Sequence, residues 1–133
     1  MSKWILSNGY EVKYFKPEEF ACPCCGKVKM NEEFIERLDK ARYIAGIPFK
    51  ISSGYRCPKH NAEVGGVPDS AHTKGLAADI ICNNSQDRYK IIEATINCKL
   101  KRIGVGAEFI HLDCDREKPW MVIWTYYKEK RSK

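Results

Sequence analysis

The chain has no apolar run approaching the roughly 20 residues that cross a bilayer, so no membrane span is expected. Its start, Met1-Ser2-Lys3-Trp4-Ile5-Leu6-Ser7-Asn8-Gly9-Tyr10, lacks the apolar core of a secretory signal. Synthesis in the cytoplasm, without a signal peptide, is the expectation. There is no internal repeat, low-complexity tract or second-domain linker, which points to a single domain over 1–133 and to a monomer. A formal charge of +6 is not accompanied by any nucleic-acid motif, so no nucleic-acid partner is expected. Much of that surplus lies in a basic tail, 128–133, which reads as solvated.

Cysteine is plentiful by contrast. Seven residues, an odd number, without a signal argue against an extracellular disulfide framework. Cys82, Cys98 and Cys114 sit in apolar or mixed runs and read as core thiols. Cys22 and Cys25, in the Cys-containing opening segment 1–30, have C-x-x-C spacing. A closed structural zinc there needs two more ligands, from Cys24, Cys57 and His60. A second metal, a disulfide formed after release, and reduced thiols all remain open for Cys22, Cys25 and Cys57.

Local signals mark the elements. Pro17 with Glu18 and Glu19 predicts a short helical turn. Asn31 caps a helix whose buried stripe is Phe34, Leu38, Ala41 and Ala45, and Gly46 ends it. Phe49–Ser53 alternates as a strand, and 54–75 reads as a long loop without periodicity, the kind usually kept for function. Leu76–Cys82 predicts a buried strand in which Asp79 faces away from its neighbours. Ser85–Ile96 predicts a second helix, capped by Asn84 or Ser85, with Tyr89, Ile92 and Ile96 inward. Strands follow at about 101–105, 108–114 and 120–127. This order implies α+β: a small antiparallel sheet, two main helices and a long loop.

His72, Asp79 and His111 are metal-type ligands, two imidazoles and a carboxylate that suit Zn²⁺ and leave a tetrahedral position for water. A lone carboxylate in a buried strand is costly unless a cation pairs with it. Glu108, three residues before His111, is a candidate base, provided that the strand begins, twists or bulges there. Asp113 reads as an acid that fixes a ligating histidine from behind. His60 reads as structural or surface. Trp120 and Trp124 share a strand face and read as core.

Four blocks then resemble the zinc D-Ala-D-Ala carboxypeptidase family: Ser53-Gly54-Tyr55-Arg56-Cys57-Pro58-Lys59-His60-Asn61, Val64–His72, Gly75-Leu76-Ala77-Ala78-Asp79 and Phe109-Ile110-His111-Leu112-Asp113. That family includes VanY-like carboxypeptidases, D-Ala-D-Ala dipeptidases and phage L-Ala-D-Glu endolysins, on a fold shared with the Hedgehog signalling domain. The resemblance implies a Hedgehog/DD-peptidase-like fold, one catalytic Zn²⁺ at His72, Asp79 and His111, and Glu108 as general base and proton donor. It implies that Arg56 contacts substrate and stabilises the oxyanion, and that Ser70 hydrogen-bonds substrate or the ligand surroundings. The implied activity is hydrolysis of an amide bond in peptidoglycan stem peptides. Without a signal, action on the cell wall would follow release, as for a phage lysin. A non-catalytic zinc-containing module of the same fold is the alternative.

Overall fold

Two faces of one sheet divide the molecule into a core and a cleft. The structure, a computed structural model, describes residues 3–126. The basic tail 128–133 and the last residue of the strand expected at 120–127 lie outside the described residues. Five strands, β1 (Ile51–Ser53), β2 (Ala77–Ile81), β3 (Arg102–Val105), β4 (Phe109–Asp113) and β5 (Val122–Thr125), lie in the order β1-β2-β4-β3-β5. Ala78, Ile80, Ile103, Ile110 and Leu112 are fully or almost fully buried. They form one cluster with Phe34, Ile35, Leu38 and Ala41 of helix α1 (Glu32–Ala45) and Ile91 and Ala94 of helix α3 (Ser85–Asn97). A buried side chain of this size contributes about 1.5–3 kcal/mol each by leaving water.

The helices start and stop where their local chemistry dictates. Asn31 Oδ1 accepts the Phe34 amide at 2.9 Å, and Gly46 closes α1 at φ +70°, a left-handed conformation that a side chain disfavours. Asn84 caps α3 through the Asp87 amide. Pro17–Phe20 forms a 3₁₀ turn.

Three expectations are corrected. The sheet is mixed rather than antiparallel, because β5 runs parallel to its neighbour β3. The stretch 54–75 is not all loop: it holds a third helix, α2 (Pro58–Glu63), and a 3₁₀ turn, Ala71–Lys74. Pro58 sits at the first helical position and the Cys57 sulfur accepts the His60 amide, so a six-residue helix forms without amphipathic periodicity. The buried face of α3 is Ile91, Ala94 and Thr95; Ile92 packs partly buried against the core as expected, but Tyr89 and Ile96 are exposed. The small Ala94 and Thr95 suit close packing in the core more than the bulky residues one step round the helix.

The opening segment is anchored by one carboxylate. Asp39 on α1 is buried and accepts the Tyr10 hydroxyl (2.7 Å) and the Lys13 and Tyr14 amides (3.0 and 2.9 Å). Asp39→Ala leaves those donors without their partner. We expect it to lower unfolding free energy by about 2–4 kcal/mol, from several lost hydrogen bonds to a charged acceptor. Urea denaturation checks this, and specific activity of the folded fraction should be unchanged.

Candidate metal centre

The polar face of the sheet carries a single row across all five strands. Ser53 pairs with Asp79, Asp79 with His111, His111 with Gly104, and Gly104 with Trp124. Asp79 and His111 therefore face the same side as direct cross-strand neighbours. His72 reaches them from the 3₁₀ turn, whose first amides are capped by Ser70: Ser70 Oγ accepts from the His72 amide at 3.2 Å. Gly75 ends the turn at φ +72°, and a Cβ there would lie 2.0 Å from the Lys29 carbonyl oxygen. The chain thus drops directly from His72 into β2.

Hydrogen bonds set both imidazoles. His72 Nδ1 lies 2.8 Å from the Gly54 carbonyl, which can only accept, so Nδ1 carries the proton and Nε2 presents its lone pair. His111 Nε2 lies 2.6 Å from Asp113 Oδ2 and donates to it, so Nδ1 faces the other way. The two outward nitrogens converge on one oxygen: Asp79 Oδ1 is 3.2 Å from His72 Nε2 and 2.9 Å from His111 Nδ1. Lone pairs facing a carboxylate repel unless a proton or a cation lies between them. With metal–ligand bonds of 2.0–2.1 Å, a tetrahedron has edges of about 3.3 Å, close to these separations. His72, Asp79 and His111 are all buried, their ligand atoms lie within 4.8 Å of one another, and they can hold a metal ion. The donor set fits zinc.

The surroundings tune these groups. Burial works against an ionised Asp79, but in the metal-free protein hydrogen bonds from protonated His111 and His72 outweigh it and hold the carboxyl far below its usual range. Burial also disfavours a charged His111, yet Asp113 and Asp79 at its two nitrogens raise its pKa above the ordinary value. For Asp113, burial is outweighed by His111, the Asp115 amide and Arg102, which lower its pKa. Arg102 Nε donates to Asp113 Oδ1 at 2.8 Å, Arg102 also donates to the Pro119 carbonyl, and the Asp115 amide reaches Asp113 at 3.0 Å. Asp113 holds His111 in place from behind, as such carboxylates commonly do.

Arg56 stands beside the trio. Its Nη2 lies 3.5 Å from Asp79 Oδ2, Nε donates to Ser53 Oγ (3.1 Å) and Nη1 to Asn61 Oδ1 (3.3 Å). It therefore braces the loop and lines the cleft at once. The cleft, about 430 Å³, is bordered by Arg56, Ser70, Arg102 and Lys118 on its polar side. Phe109, Trp124 and Tyr126 form an aromatic wall, with ring centroids 5.0 Å apart for Phe109–Tyr126 and 5.6 Å for His111–Trp124. Gly104 makes room for it, since a Cβ there would lie 2.7–2.8 Å from the Tyr126 and Trp124 rings.

Glu108 is placed differently from the other residues of the motifs. It stands exposed on the bend before β4, its carbonyl accepting the Cys82 amide, and it is not among the residues lining the cleft. Its side chain makes no hydrogen bond or ion pair among the described residues. Trp124 lines the cleft instead of the core, and Trp120 is nearly half exposed with Lys101 over its ring. Met121, at φ +58°, breaks the alternation between them. His60 sits half-buried on α2 near Glu63. Cys82 is buried, and Cys98 and Cys114 pack against the core. Arg102, Lys118 and Tyr126 were not expected from sequence. Arg102 had a signal: a cation in an apolar strand needs a buried acid, as Asp79 needs a cation.

A family model described as Peptidase M15 matches residues 13–113. No curated protein matches the chain. No described helix is long and apolar enough to cross a membrane.

Metal uptake must displace the proton that His111 takes up at low pH. Because the folded pKa of that imidazole is raised, zinc affinity should begin to fall at a pH above the ordinary imidazole value of about 6.5. Below the folded pKa, one displaced proton corresponds to about a tenfold loss per pH unit. Competition with a chromophoric chelator across pH 5–8.5 measures the slope, and a pH-independent affinity would contradict it.

Proposed function

Because the chain belongs to the peptidase M15 family, a family of zinc-dependent peptidases, we propose that it hydrolyses an amide bond in peptidoglycan stem peptides. Within that class the reading is a D-Ala-D-Ala carboxypeptidase or an endolysin-type endopeptidase, with one catalytic Zn²⁺ held by His72 Nε2, Asp79 Oδ1 and His111 Nδ1. The observation that carries it is the meeting of those three donors with Arg56 and Lys118 in one cleft. Zinc supplies Lewis acidity there, polarising a carbonyl and acidifying water.

The chain's own side chains have distinct tasks. Arg56, steadied by Ser53 and Asn61, offers a planar guanidinium to a terminal carboxylate or to the oxyanion that develops at the scissile carbonyl. Lys118 Nζ, 3.8 Å from Asp69 and 4.0 Å from buried Asp115, adds positive charge on the same border. The Phe109, Trp124 and Tyr126 rings present an apolar surface for the small side chains and backbone of a stem peptide. Ser70 holds the turn that carries His72 and faces the cleft. Glu108 is assigned proton transfer from water to the leaving amine on its place three residues before His111. Among Asp79, Asp113 and Glu108 it is the one carboxylate not already engaged by a cation or an imidazole.

A second reading, a non-catalytic zinc-holding module of the same fold, draws on one observation. Glu108 does not line the cleft, and Asp79 and Asp113, which do, are both committed. Turnover decides between them. Digestion of purified muropeptides, followed by mass spectrometry, should release a D-alanine or a defined stem fragment, and the mass identifies the bond cut. Glu108→Gln should keep its zinc and lose about 10²–10⁴-fold in turnover. A parent-like rate in that variant would move the proton-transfer role off Glu108.

Arg56→Lys keeps the charge but loses the fork, and we expect a lower kcat/KM from it. Some loss of thermal stability should accompany this, since the Ser53 and Asn61 contacts depend on the same guanidinium. Amidating the substrate C-terminus separates the two tasks. If Arg56 binds the terminal carboxylate, the parent and the variant should converge on the amidated peptide; if it serves the oxyanion, the gap should persist.

A further inference from the structure

Outside the cleft, the structure gathers a second set of donors that the peptidase reading leaves unused. Cys22, Cys25 and Cys57 place their sulfurs within 4.8 Å of one another. Cys24, exposed on the same turn beside Cys25, is a fourth thiol of the segment. Sulfurs bound to one zinc at about 2.3 Å stand about 3.8 Å apart, so the Cys22, Cys25 and Cys57 sulfurs already stand near that spacing and Cys24 completes a tetrahedron by turning inward.

The backbone around Cys22 is folded into a tight knuckle. The Gly26 amide donates to the Cys22 carbonyl at 2.7 Å, the Cys22 amide to the Lys27 carbonyl at 2.9 Å, and Gly26 takes φ +74°. Amides also aim at sulfur: the Cys57 amide lies 3.4 Å from Cys22 Sγ, and the His60 amide lies 3.4 Å from Cys57 Sγ. Donors directed at sulfur favour a thiolate, the form that ligates metals. No cysteine of this cluster is disulfide-bonded.

We infer that Cys22, Cys25 and Cys57, with Cys24 closing the tetrahedron, form a structural site for a thiophilic divalent cation of the zinc type. The site has a purpose in the fold. Cys57 follows Arg56 directly and caps α2, the helix whose Asn61 holds Arg56 Nη1. The opening segment also meets this stretch where the Tyr55 amide donates to the Phe20 carbonyl and where Gly54 passes so close that a Cβ would lie 2.6 Å from the Phe20 Cα. An ion spanning Cys22 and Cys57 ties the opening segment to the start of the loop that carries Arg56 and His72.

Metal content of protein purified anaerobically under reductant tests this. Two zinc equivalents are expected in the parent, one in His72→Ala and one in Cys22→Ser or Cys57→Ser. Replacement by cobalt gives a spectrum that identifies the ligands. Intense thiolate-to-cobalt charge-transfer absorption is expected in the parent and in His72→Ala, and its loss is expected in Cys57→Ser. The parent spectrum needs no variant to fold. Absence of that absorption in the parent, or an unchanged metal content in soluble Cys22→Ser, overturns the site. If His72→Ala instead keeps every equivalent while Cys57→Ser loses one, the cleft assignment fails and the cysteine site stands.

Discussion

A buried carboxylate organises this protein. Asp79 lies in the second position of the sheet, between two imidazoles on Oδ1 and a guanidinium on Oδ2. An ionised acid in that setting is tolerated only because positive charge surrounds it. Each neighbour comes from a different part of the chain: His111 across the β2–β4 ladder, His72 from the turn before β2, Arg56 from the end of β1. Register between strands, the 3₁₀ turn and the loop after β1 are all tied to that one oxygen pair. A one-residue slip of β2 would turn Asp79 into the apolar face and Ile80 into the cleft.

Behind this first layer stands another of charge. His111 is oriented by Asp113, Asp113 is held by Arg102, and Arg102 is anchored at the Pro119 carbonyl. Lys74 and Lys118 do the same for Asp115, which is fully buried. Buried acids and cations thus alternate along the border of the cleft, and each of these charges has a partner. Rigidity follows, because moving one member leaves another unpaired at a cost of several kcal/mol. The helix pair on the opposite face provides the apolar support for this arrangement.

Local chemistry explains what could be read in advance. Asn31, Gly46 and Asn84 act through their own backbone and side chain within a few residues, so the ends of α1 and the start of α3 were legible. The β2 and β4 segments were legible because Asp79 and His111 sit in apolar runs where a polar side chain needs a reason. Pairings between distant segments left no such trace. Nothing near Val122 announces that β5 lies parallel to β3, and nothing in α3 announces that Ile91 and Ala94, rather than Tyr89 and Ile96, enter the core. Which helix face is buried depends on the shape of its partner, and here both faces carry apolar residues. Glu108 fell between these cases. Its spacing from His111 is a sequence property, but its direction is fixed by the bend at 106–108, and that bend leaves it exposed.

The sequence by itself determined the chemistry of the donors: two imidazoles and a carboxylate in family-like motifs, a nearby arginine and a cysteine cluster. These follow from residue type and short spacing, which need no fold to be recognised. Tertiary structure alone decided which atoms converge, because Nε2 of His72 and Nδ1 of His111 are selected by the Gly54 carbonyl, distant in sequence, and by Asp113, brought to bear only by the register. It also decided that Arg102, Lys118 and Tyr126 border the cleft, and that Cys57 meets Cys22 across 35 residues. Proximity between remote segments is set by packing and strand pairing, and no local pattern encodes it.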